Sequence, residues 1–195
     1  MTHPIFSQSL NASGPITQAF SAHQCHTFGH ACEHVMALPY GRTSKGLPLE
    51  QVLLEGKGTC SSKHALLSAL AKEHNWPVQL TLGIYLMNGE NTPGIDQDFG
   101  QFGITGVPEA HCYLTIDGTR YDFTNDTCLR HPEITFLMEQ AIEPQDTLNR
   151  KAAIHKEFLN AWIQQNATQL SFDAAWQLRE QCIAQLSAIA ELENP

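Results

Sequence analysis

Cys60 follows Gly56-Lys57-Gly58-Thr59 and precedes Ser61-Ser62-Lys63-His64-Ala65-Leu66-Leu67. A Gly-rich turn running into an apolar-periodic stretch marks a helix start, and Thr59 is a suitable N-cap because its hydroxyl can accept a first-turn N–H. Sulfur at that position lies beside unpaired N–H groups and the positive end of the helix dipole. Both favour the thiolate, which is the nucleophilic form. The same N–H groups could hold the oxyanion formed when a thiolate attacks a carbonyl. At about 100° per residue, Leu66, Leu67, Leu70 and Ala71 fill an arc ending almost beneath Cys60. The thiol is therefore expected at the edge of the buried stripe, where a cleft reaches it. A small buried hydrophobe is the competing reading of any free cysteine.

A base and its orienter can be placed by register. Asp117-Gly118 separates two alternating runs, a strong signal for a hairpin with a two-residue type I′ turn. That turn pairs Ile116 with Thr119, Leu114 with Tyr121 and Cys112 with Phe123 on an apolar, core-facing side. The other side pairs Thr115 with Arg120, Tyr113 with Asp122 and His111 with Thr124. His111 and Asp122 then share a face as diagonal neighbours, about 7–8 Å apart and within reach of long side chains. A carboxylate there selects the imidazole tautomer and steadies the imidazolium. A slip of one residue would separate the two, and the apolar pairing opposes it.

Several other residues compete for roles. His64, one turn after Cys60, leans toward the helix N-terminus and is a rival base, with core hydrogen bonding as its alternative. Tyr40 and Arg42, in Leu38-Pro39-Tyr40-Gly41-Arg42, could supply an oxyanion donor and a carboxylate anchor; packing after a helix end is the plainer reading. Tyr113 is a further oxyanion or substrate candidate. His23, His26, His30 and His34 form one stripe on a helix read over 14 to 38, and His26/His30 and His30/His34 have spacing that can chelate Zn²⁺. One helix rarely closes a tetrahedral set, so a solvated histidine face is the simpler expectation. Asp96 and Asp98 are too few for a Ca²⁺ site.

The elements that must position these groups are legible. Residues 14 to 38 read as one helix ended by Pro39, and a short helix over about 49 to 55 stops at Gly56. The Cys60 helix extends to about residue 74 and is closed by Asn75-Trp76-Pro77. Val78 to Leu86 alternates as a strand. Residues 87 to 109, rich in Gly, Asp, Asn and Pro, form a long connection expected to wall or cover the cleft. Helices are expected over about 148 to 165 and 172 to 192. Ser171 caps the second, whose buried stripe would be Phe172, Ala175, Trp176, Cys182, Leu186 and Ile189. Helices, strands, then helices give an α+β class.

At 195 residues, 42% hydrophobic and 16% charged, the chain suits one folded domain. Its net charge of -9, with no basic run, opposes nucleic-acid or anionic-membrane partners. No export signal or transmembrane stretch is visible, so a cytoplasmic setting with reduced thiols is expected for Cys25, Cys32, Cys60, Cys112, Cys128 and Cys182.

The segments Gly58-Thr59-Cys60-Ser61-Ser62-Lys63-His64-Ala65-Leu66-Leu67, Ala110-His111-Cys112-Tyr113-Leu114 and Arg120-Tyr121-Asp122 together resemble the transglutaminase-like superfamily of papain-related cysteine enzymes. The match spans about residues 56 to 126. Many members carry Trp two residues after the His, where Tyr113 stands here. The resemblance implies a core over about 38 to 130, with a Cys-bearing helix packed on an antiparallel sheet and flanking helices at 14–38 and 148–192. It implies a Cys60-His111-Asp122 triad acting on an amide or peptide through a thioester, by hydrolysis or acyl transfer, without a cofactor. The substrate would be a peptide, a protein or a small amide. A non-catalytic binding module on the same fold and a His/Cys-rich metal-binding protein are the alternatives.

Overall fold

A computed structural model describes residues 2–45, 48–125, 134–166 and 169–193, so Cys128 lies outside the described residues. Its helices are α1 (Pro15–Ala22), α2 (Phe28–Ala37), α3 (Gln51–Glu55), α4 (Cys60–Glu73), α5 (Arg150–Gln165) and α6 (Phe172–Glu193). Its strands are β1 (Val78–Met87), β2 (Val107–Ile116), β3 (Thr119–Tyr121) and β4 (Phe136–Ile142), all antiparallel in the order β3-β2-β1-β4. Helices packed on a four-stranded antiparallel sheet make the chain α+β. Among the described residues, no helix is long and apolar enough to cross a membrane.

Strand alternation divides the core in two. Leu80, Leu82 and Ile84 of β1 join Ala110, Cys112, Leu114 and Ile116 of β2 in one cluster with α1, α2 and α4. Tyr85, Met87 and Val107, on the opposite parity, pack with Ile95, Phe99, Ile104, α5 and α6. The sheet is thus covered on both faces. The connection between β1 and β2 is anchored by its own apolar residues against α6, as a packed wall of the second cluster.

The hairpin has the expected register, with Leu114 opposite Tyr121, Thr115 opposite Arg120 and Ile116 opposite Thr119. Asp117 and Gly118 take φ of 47° and 75°, the left-handed pair that a type I′ turn needs. The face carrying His111 is more enclosed than a solvated hairpin face, because α5 and α6 pack on it; Tyr113 and Glu109 are both buried.

Two expectations are corrected, and one strand is added. Residues 14 to 38 form two helices: Gln24 turns the chain at φ 59°, and the Thr27 hydroxyl accepts the His30 N–H to start α2. A β-branched residue before an apolar run fits a cap as well as a helix interior, and here the cap wins. β4 carries no sequence expectation; it pairs with β1 at the sheet edge. On α6, Ser171 does accept the Ala174 N–H, and Ala175 and Cys182 are buried. Ile189, however, is exposed, while Leu178, Arg179 and Ile183 are buried instead.

Candidate active site

Cys60 opens α4. The Thr59 side chain accepts the Ser62 N–H and the Ser62 hydroxyl accepts the Thr59 N–H, a reciprocal cap that fixes where the helix begins. The first-turn N–H groups of Cys60 and Ser61 have no carbonyl to reach within the helix, as expected from the sequence.

The hairpin brings His111 and Asp122 together. His111 Nε2–H donates to Asp122 Oδ2 at 2.6 Å. β3 ends at Tyr121, and the chain turns so that Asp122 Oδ1 accepts both the N–H and the hydroxyl of Thr124, at 2.9 and 2.6 Å. Both carboxylate oxygens are therefore held. With Nε2 taken by Asp122, the other ring nitrogen, Nδ1, is left to make the hydrogen bond between His111 and Cys60. The Cys112 backbone N–H also donates to the sulfur.

Charges follow this geometry. Burial pushes the Cys60 thiol up, but the Lys151 ammonium, His111 and the hydrogen bonds outweigh it and bring the thiol down to about 6. Burial disfavours charge on His111, yet Asp122 and Cys60 raise it well above the usual imidazole range. Burial opposes ionisation of Asp122, and the His111 charge and hydrogen bond overcome it, holding the carboxyl far below its ordinary value. The resting state favoured is a thiolate–imidazolium pair steadied by a carboxylate.

Cys60 is only 5% exposed, more enclosed than the cleft edge expected of it, while the His111 and Asp122 side chains are 12% and 19% exposed. It belongs to neither hydrophobic cluster. Its surroundings are ionisable groups rather than core hydrocarbon.

His64 is not a rival base. Its Nε2 accepts the Phe123 N–H at 2.7 Å, so Nδ1 carries the proton and donates to the Cys60 carbonyl at 2.8 Å. Burial, against a partial offset from Asp122, lowers this imidazole to about 4. It is a neutral strut joining α4 to the chain beside Asp122.

Tyr40 lies near enough to feel the Cys60 charge. Burial and then the Cys60 and Glu109 charges push its hydroxyl well up, which keeps it protonated and able to donate. Arg42 does not reach the site: its guanidinium donates to Glu180 on α6 at 2.9 Å and its side chain is 61% exposed. Tyr113 stacks beside His111 at 6.3 Å, but its hydroxyl donates to Glu139 rather than toward the sulfur. Opposite His111 on β1 is Gly83, where an added Cβ would meet the Phe136 ring at 2.4 Å. That missing side chain lets Phe136 stack on Tyr113.

His23 and His26 lie between α1 and α2 and only His30 and His34 stand on α2, so the expected four-histidine stripe and the helical His26/His30 pair do not form; His23 and His34 approach at 4.8 Å between ring centroids. Among the described residues, no group of three or more His, Cys, Asp or Glu side chains is arranged to hold a metal.

Sequence reasoning missed four groups. Lys63 Nζ donates to the carbonyls of Leu38 and Thr124 at 2.5 and 2.6 Å. It thereby ties the segments bearing Tyr40 and Asp122 to the Cys60 helix. Lys151, on α5, donates to Ser61 Oγ at 2.5 Å. Glu109 and Arg179 form a buried two-point ion pair at 2.5 and 2.7 Å. Only Lys63 carried a local signal, a lysine among apolar residues on the buried stripe of α4.

No protein-family profile matches the chain, and no curated protein or solved structure matches it either.

Proposed function

We propose that the chain is a cysteine-nucleophile hydrolase or acyltransferase with a transglutaminase-like core, acting on an amide or peptide bond through a thioester. The observation that carries this reading is the His111–Asp122 hydrogen bond of 2.6 Å beside a helix-start Cys60 that is hydrogen-bonded to the same imidazole. In this reading His111 already holds the Cys60 proton, and the thiolate attacks the substrate carbonyl carbon. The C=O π pair moves onto oxygen, where the Tyr40 hydroxyl and the first-turn N–H groups of α4 are the available donors. Collapse expels the amine, which takes its proton from His111, and leaves the acyl group on sulfur. Water or an acceptor amine then attacks the thioester, giving its proton to His111. Asp122 holds the imidazole throughout.

The small exposure of Cys60 favours one second reading, a binding module that keeps this fold without turnover. One experiment separates the two. Native protein and Cys60→Ala are incubated with a panel of electrophilic peptides and activated amides, and the adduct is located by mass spectrometry. The enzyme reading expects an acyl or alkyl adduct at Cys60 and turnover that Cys60→Ala abolishes. An unmodified Cys60 with no turnover on any substrate leaves the binding module.

A further inference from the structure

Lysine is rarely turned inward, because its ammonium is strongly hydrated. Lys151 nevertheless points its ammonium from the first turn of α5 to Ser61 Oγ at 2.5 Å, and that hydroxyl oxygen is 3.8 Å from Cys60 Sγ. An ammonium can only donate. The Ser61 oxygen must therefore accept, which leaves one hydroxyl hydrogen for the two sulfurs within its reach, Cys60 and Cys112, and a negative charge on Cys60 draws it there. The titratable groups that interact with the sulfur come from three elements, His111 and Cys112 on β2, Tyr40 after α2 and Lys151 on α5, while Glu109 and Arg179 act in turn on Lys151. Arg179 is bound to Glu109 and Glu180, and His111 is held by Asp122. A negative sulfur then has Lys151 as its balancing cation.

We propose that Lys151 is a positioning residue of this site, acting through the Ser61 hydroxyl to hold negative charge on Cys60. The inference rests on reading Cys60 as the nucleophile. In the resting pair the Cys60 proton is on His111 and the electron pair is on sulfur; Lys151 keeps its own proton while Ser61 donates to the thiolate. α5 is thus part of the chemistry rather than a flanking support.

The test is the pH dependence of Cys60 alkylation by iodoacetamide, followed by mass spectrometry in the wild type, Lys151→Met, Lys151→Arg and Ser61→Ala. The wild type is expected to titrate near 6. Lys151→Met should move the midpoint up by about one pH unit or more, a loss of about tenfold in rate on the acid side. Lys151→Arg should restore most of that rate, and Ser61→Ala should lose a few-fold. A merely structural role would change the melting temperature without moving the midpoint. A low wild-type midpoint that both Lys151→Met and Ser61→Ala leave unchanged overturns the inference and spares the nucleophile. An ordinary wild-type midpoint, near about 8.5, overturns both. If Lys151→Met does not fold, Ser61→Ala decides by the same midpoint, since it removes a single hydroxyl.

Discussion

The backbone N–H of Phe123 donates to His64 Nε2 at 2.7 Å, so the residue following Asp122 is bonded to the helix that begins with Cys60. This bond requires a neutral imidazole, and burial lowers His64 to about 4. Because the folded value lies below the unfolded one of about 6.5, its contribution is complete above that value. It is lost as pH falls toward 4, and the shift corresponds to an order of 3 kcal/mol. Asp122, also depressed in the fold, adds acid sensitivity at lower pH: its contribution is present above the unfolded carboxylate value and lost below it. His64→Gln can keep an acceptor and a donor but cannot titrate. Urea unfolding from pH 7 to 4 should therefore show a shallower fall in stability for His64→Gln than for the wild type; parallel curves would refute the neutral strut.

Turnover should follow the thiolate–imidazolium pair. Its acid limb is set by Cys60, near 6, and its alkaline limb by His111, whose pKa is held well above the ordinary value. A bell-shaped kcat/KM profile results. Asp122→Asn removes the carboxylate that holds the Nε2–H, so His111 loses its raised affinity for the proton and the alkaline limb moves down. Loss of kcat should be about 10²- to 10⁴-fold. An Asp122→Asn variant with the wild-type alkaline limb would show that the carboxylate does not hold the imidazolium.

The Glu109–Arg179 pair joins β2 to α6 and is buried on both sides. Removing one partner leaves the other charge without compensation, which typically costs about 3–5 kcal/mol. Arg179→Met should therefore be strongly destabilising, while the double variant Glu109→Gln, Arg179→Met should regain much of the loss. A double variant no better than Arg179→Met alone, in chemical denaturation, would show that the burial of Glu109 is not the source of the penalty.

A sulfur with 5% exposure should discriminate by size. Iodoacetamide should modify Cys60 faster than a bulky maleimide does, relative to the reactivity of each with a free thiol. Ser61→Ala, which releases the Lys151 contact holding α5 over the site, should narrow that ratio. Equal relative rates in the wild type would mean that nothing covers the sulfur.

Local sequence was sufficient for the parts that local physics determines. Thr59 and Gly58 mark the start of α4, Asp117-Gly118 sets a turn, and the alternation of Leu114 and Ile116 against Tyr121 sets the register that brings Asp122 near His111. Each depends on neighbours in the chain or on side-chain parity. Tertiary packing decided what such periodicity does not contain. It paired β4 with β1 and aimed Lys151 at Ser61 across the fold. It also split the expected helix of residues 14 to 38, where the segment around Gln8 to Leu10 pairs with residues 26 to 28. His64 shows the division most plainly. Its spacing placed it one turn from Cys60, but only the arrival of the Phe123 N–H, from the segment after β3, made it an acceptor, since a buried donor must find a partner.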